Sequence, residues 1–136
     1  HSALYAALSL APGKKGFTTD ICVPISSLTK CILETKKDLE ASNIIAPIVG
    51  HVGDGNFHLI LLLDPENKDE VNEAKEINDR LIARALKMGG TCTGEHGIGL
   101  GKKEHLRIEK GISVDVMSQI KKALDPNNIM NPGKIF

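Results

Sequence analysis

A chain of 136 residues is large enough for one domain with a real core and small for a complete cofactor-dependent enzyme. Lys plus Arg balances Asp plus Glu at 17 each and aromatics are 3% of the chain, so neither a basic field nor a set of stacking platforms points to nucleic acid. Cys22, Cys31 and Cys92 are odd in number and form no C-x-x-C, which excludes a disulfide framework and a thiolate zinc knuckle, and no apolar run reaches bilayer-spanning length.

In chain order, Ala3 to Leu10 is small and apolar and reads as a helix end or a loose strand, broken by the Pro12-Gly13 loop. Ile21 to Ile25 is β-branched and reads as a short strand, with Pro24 placing that end at an edge or terminus. Ser26 or Ser27 is the expected N-cap of a helix running to about Ala41, with Leu28, Ile32, Thr35 and Leu39 on one face. Ile44 to Val49 and Leu59 to Leu63 flank a glycine-rich centre and predict an antiparallel hairpin. Asp64-Pro65 opens the clearest helix, whose inward stripe is Val71, Ala74, Leu81, Ile82 and Ala85 and whose stop is Gly89-Gly90. A glycine-dense loop from Gly94 to Gly101 leads to a short charged helix from Lys102 to Lys110. A last helix is expected to be capped by Ser113, with Val116, Ile120 and Leu124 inward.

The order β-α-β-β-α predicts an α+β fold, an antiparallel sheet with helices on one face, followed by a loop-rich helical tail. The change of pattern at Gly89 places a boundary between residues 1–88 and 89–136.

The chemistry concentrates in G-H-V-G-D-G-N-F-H, from Gly50 to His58, and T-G-E-H-G, from Thr93 to Gly97. A hairpin turn through Gly-Asp-Gly brings His51 and His58 to one end of a sheet, and Glu95 completes a two-histidine, one-carboxylate set with an open coordination position. Two histidines beside turns also fit exposed or hydrogen-bonded structural roles, and the spacing alone leaves both readings open. Asp54 and Asn56 fit turn stabilisation, and Cys92 fits a small buried apolar role. The glycines after Gly94 follow no strand and open no helix of a βαβ unit, which disfavours a nicotinamide dinucleotide site.

T-D-I-C-V-P-I-S at Thr19 to Ser26, the histidine hairpin, G-T-C-T-G-E-H-G-I-G-L-G-K at Gly90 to Lys102, and the terminal L-D-P and M-N-P-G-K together resemble the FAD-linked oxidase family of the vanillyl-alcohol oxidase type. The likeness is to the carboxyl-terminal part of its mitochondrial D-lactate dehydrogenase branch. It implies that residues 1–88 are the latter part of a substrate-side cap domain, and that 89–136 are an active-site loop and tail returning to an amino-terminal FAD-binding domain outside this chain. It also implies a divalent metal, zinc or manganese, on His51, His58 and Glu95. His96 is implied as the general base beside the substrate carbon, Asn131 as a residue near the flavin, and Lys15 as an aid to substrate binding.

The implied reaction is oxidation of a small D-2-hydroxy acid, D-lactate foremost, to its 2-oxo acid with hydride transfer to FAD, in a mitochondrial setting. The electron acceptor stays open, and the 136 residues alone are expected to be inactive. Two rival readings are a metallohydrolase using the two histidines and the glutamate, against which the absence of H-E-x-x-H counts, and a non-catalytic α+β interaction module.

Overall fold

A computed structural model describes the backbone of residues 2–136; His1, to which no role is assigned, lies outside the described residues. The chain forms two compact units, residues 1–95 and 96–136. The sequence pattern changes earlier, after residue 88. Segment 89–95 belongs to the first unit because Thr91 and Cys22 exchange backbone hydrogen bonds, Thr91 N to Cys22 O at 2.8 Å and Cys22 N to Thr91 O at 3.3 Å.

In the first unit, α1 spans Ser2–Leu8, so the helical alternative holds for the opening segment. β1 (Lys15–Thr18), where the sequence predicts a loop after Pro12-Gly13, is an exposed edge strand without an apolar run to announce it. β2 is only Ile21–Cys22. α2 (Ile25–Leu39) starts earlier than expected: its N-cap is Pro24, with no side-chain cap from Ser26 or Ser27. The fixed φ of proline suits the extended cap position, and the Pro24 carbonyl accepts from Ser27 N at 2.8 Å. β3 (Ile48–His51) and β4 (Asn56–Leu63) form the expected hairpin, and α3 (Lys68–Lys87) follows. Pro65 does not open α3; the Asn67 side chain does, accepting from the amides of Asp69 and Glu70.

The sheet is antiparallel and β4 is its spine. β1 and β2 lie along one edge of it in a single register, Lys15 opposite Leu63 through Cys22 opposite Asn56, while β3 lies along the other. All eight residues of β4 are buried. The pleat sends Ile60 and Leu62 to the face on which Ala7 of α1 packs, and α3 packs against β4 and β2 through a stripe of Ala74, Ile77, Leu81, Ile82 and Ala85. Arg84 clasps α3 to α2, its Nη2 2.8 Å from Asp38 Oδ2 and its Nη1 donating to Thr35 Oγ1 at 3.0 Å.

In the second unit, α4 (Lys103–Lys110) and α5 (Ser113–Leu124) pack against each other with Leu106 and Val114 buried. The N-cap of α5 is Ile112 without a side-chain cap, so Ser113 is its first residue and not its cap. Val116, Ile120 and Leu124, expected inward, are 55%, 55% and 74% exposed. Residues 96–136 hold too few layers to enclose a second apolar stripe. The tail is fastened instead by polar bonds: Ile135 N donates to Gly99 O at 2.8 Å, and Lys103 Nζ reaches the Gly133 and Phe136 carbonyls. Among the described residues no helix is long and apolar enough to cross a membrane.

Candidate metal centre

β3 and β4 bring the two histidines together as the hairpin predicts. His51 pairs with Asn56 across a four-residue turn whose last member, Gly55, has φ 77°. A Cβ at Gly55 would lie 2.0 Å from the Val23 carbonyl oxygen, so the turn needs glycine for both conformation and space. The His51 and His58 rings stand edge to face with centroids 6.3 Å apart. One nitrogen from each ring and one oxygen of Glu95 lie within 4.8 Å of one another. His58 is buried, whereas His51 and Glu95 are half-exposed or more, so the group opens toward solvent.

Hydrogen bonding fixes the orientation of His58. In a regular antiparallel ladder the Leu59 amide would donate to the Thr19 carbonyl. Here it donates to Thr19 Oγ1 at 2.9 Å instead, and the released carbonyl lies 2.9 Å from His58 Nδ1. A carbonyl can only accept, so Nδ1 carries a proton, and Nε2 faces Glu95 Oε1, 3.1 Å away. His51 Nε2 is 3.4 Å from the same oxygen. Two imidazole nitrogens and a carboxylate converging this way match the donor chemistry of a divalent cation site.

The loop bearing Glu95 rests on Asp20, a residue quoted in the T-D-I-C motif but given no role by the sequence. Asp20 is 2% exposed and accepts from Asn56 Nδ2, Thr93 Oγ1 and the amides of Gly94 and Glu95. Asn56 is therefore not a turn residue: it opens β4, is buried, and also donates to the Ile21 carbonyl. Its sequence signal, an Asx residue beside glycine, is shared with ordinary turns, which is why the buried role was missed.

Of the other sequence candidates, Lys15 does not join this cluster. Lys15 is exposed and sits opposite Leu63, five positions along β4 from His58, or about 16 Å at the usual strand rise. His96 follows Glu95 directly in the chain and is the first residue of the second unit. Asn131 adopts φ 47° and lines a cleft of about 460 Å³ in the second unit, together with Lys121, Lys122 and Lys134. Cys92 is fully buried, in keeping with the small apolar role expected of it.

Residues 1–135 match the C-terminal domain of FAD linked oxidases. The chain belongs to that family. Its relatives include a probable mitochondrial D-lactate dehydrogenase of Danio rerio, 57% identical across all of this chain and 28% of the relative. A mitochondrial D-lactate dehydrogenase (cytochrome) of Arabidopsis thaliana is 47% identical over 98% of the chain and 24% of the relative. The mitochondrial D-lactate dehydrogenase (cytochrome) 1 of Saccharomyces cerevisiae is 49% identical over 99% of the chain and 23% of the relative. This FAD-linked oxidase domain thus spans about a quarter of the length of the curated relatives it matches.

Proposed function

We propose that this chain is the substrate-side and tail portion of an FAD-dependent D-2-hydroxyacid dehydrogenase, acting on D-lactate in mitochondria, with a divalent metal held by His51, His58 and Glu95. The observation that carries the metal is the convergence of three ligand atoms within 4.8 Å, with His58 Nε2 3.1 Å from a carboxylate oxygen. The substrate, the compartment and a cytochrome as electron acceptor rest on what the names of the relatives state. Membership of an oxidase family speaks against the metallohydrolase and the non-catalytic module.

Oxidising a 2-hydroxy acid to a 2-oxo acid removes one proton from the hydroxyl and one hydride from the adjacent carbon. Bound flavin would supply the hydride acceptor, and a bound zinc or manganese ion would polarise the hydroxyl and orient the carboxylate. His51, His58 and Glu95 contribute a half-open cradle, with β3, β4 and the Thr93–Glu95 loop placing the backbone of all three and the Thr19 carbonyl orienting the His58 ring. His96, joined to Glu95 by one peptide bond, is assigned as general base, its imidazole taking the hydroxyl proton. Asn131 and the ammonium groups beside it form a polar, cationic wall that suits an anionic cofactor. In this reading residues 1–88 are cap and 89–136 run on into a tail that meets an amino-terminal FAD-binding domain.

The test is flavin reduction in the full-length parent protein under anaerobic conditions, before and after chelation. D-Lactate should bleach the flavin, chelation should abolish the reaction, and zinc or manganese should restore it. A parent whose flavin stays oxidised with every small D-2-hydroxy acid would overturn the assignment.

A further inference from the structure

We propose that Asp20 is the positioning residue of this centre: its carboxylate holds the Thr93–Glu95 loop in the one place where Glu95 can share a cation with His51 and His58. This rests on the metal reading above and adds a residue outside the His51, His58 and Glu95 set. Asp20 sits where the long edge strand is interrupted between β1 and β2, and that interruption frees its side chain to leave the ladder.

The bonding pattern separates this role from ordinary packing. Asp20 Oδ2 accepts from Thr93 Oγ1 at 2.8 Å and Gly94 N at 2.9 Å, and the Glu95 amide lies 3.2 Å from Oδ2 and 3.3 Å from Oδ1. Three consecutive residues, ending at the carboxylate ligand, are thus gathered on one anion. Oδ1 accepts from Asn56 Nδ2 at 2.9 Å and lies 3.7 Å from His58 Nδ1, so the same group also faces the protonated side of the buried histidine. A buried carboxylate is costly unless several donors compensate it, and here the donors belong almost entirely to the elements that carry ligands. Gly94 completes the seat. A Cβ there would fall 1.8 Å from Asn56 Nδ2 and 2.8 Å from Asp20 Oδ1, so the loop can rest on this shelf only with glycine at that position.

Two variants test the role without changing His51, His58 or Glu95. Asp20→Asn keeps volume but sets an NH₂ donor against donors, and Gly94→Ala wedges the loop off the shelf while leaving Asp20 intact. In full-length protein with zinc or manganese added back after chelation, each should weaken metal affinity by roughly 10- to 100-fold, the usual worth of a group that orients a ligand. Affinity is read by competition with a chromophoric chelator, on the fraction that retains FAD. A purely structural Asp20 would lower the unfolding midpoint of metal-free protein and leave the affinity of the folded fraction unchanged, and that result overturns the proposal. Should Asp20→Asn fail to fold, Gly94→Ala decides, and parental affinity in that variant overturns it equally. His51→Ala and Glu95→Ala serve as reference: if they lose metal while Asp20→Asn and Gly94→Ala bind as the parent does, only the Asp20 assignment fails. If the reference variants hold metal like the parent, the metal reading itself falls and this inference falls with it.

Discussion

His58 Nε2 lies 3.1 Å from Glu95 Oε1 while the opposite nitrogen of the same ring is committed to the Thr19 carbonyl. Two imidazole nitrogens and a carboxylate oxygen converging at that spacing suit a divalent cation, which would take the place of a proton shared between them. Glu95→Ala or His51→Ala in the parent enzyme should therefore lower bound metal from about one ion per site to near none, following the three-ligand logic of open sites. Elemental analysis of the purified variants measures it, and full metal occupancy in both would exclude the centre.

The neighbouring residue should behave differently. His96→Ala should retain metal and flavin but slow reduction of the flavin by substrate by roughly 10²- to 10⁴-fold, the typical contribution of positioned proton transfer. Stopped-flow absorbance with metal content measured on the same sample separates the cases. Slow reduction together with metal loss would make His96 a support of the ligand set and not the base.

The L-D-P motif gives a pH prediction. Asp125, buried at the end of α5, accepts from Lys121 Nζ and from the amides of Ile129 and Met130, and the Lys121 bond leads in holding its pKa down to about 2. A carboxylate with a depressed folded-state pKa contributes stability that is complete above its ordinary value near 3.8 and is lost as pH falls through about 2. The gap in unfolding midpoint between parent and Asp125→Ala should be constant from pH 7 to about 5, then shrink progressively as pH falls through about 2. A gap that does not change over that interval would show that the tail is held by other contacts.

Core packing predicts a further contrast. Leu81 is fully buried between α3 and its neighbours, so Leu81→Ala should destabilise the protein by about 2–5 kcal/mol. Denaturant unfolding of the parent protein measures this, and a loss under 1 kcal/mol would mean that the α3 stripe is not the core face.

Local chemistry made the α+β order, the hairpin, the α3 stripe and the histidine-glutamate set legible from the sequence. Each is written in short-range signals: β-branched runs around a Gly-Asp-Gly turn, helical spacing of Ala74, Leu81, Ile82 and Ala85, and histidines placed by that turn. Spacing left the choice between structural and ligating histidines undecided, and the resemblance in the family motifs is what favours ligation. Tertiary structure alone decided the rest. β1 carries little apolar signal and exists because β4 offers it a ladder, and α5 exposes Val116, Ile120 and Leu124 although their periodicity is helical, because its unit provides nothing to cover them. Asp20 and Asn56 stand 36 residues apart and Asp20 and Glu95 stand 75 apart. Their bonds depend on a register and a loop path that only the folded sheet creates, so no local pattern could announce the carboxylate beneath the Thr93–Glu95 loop.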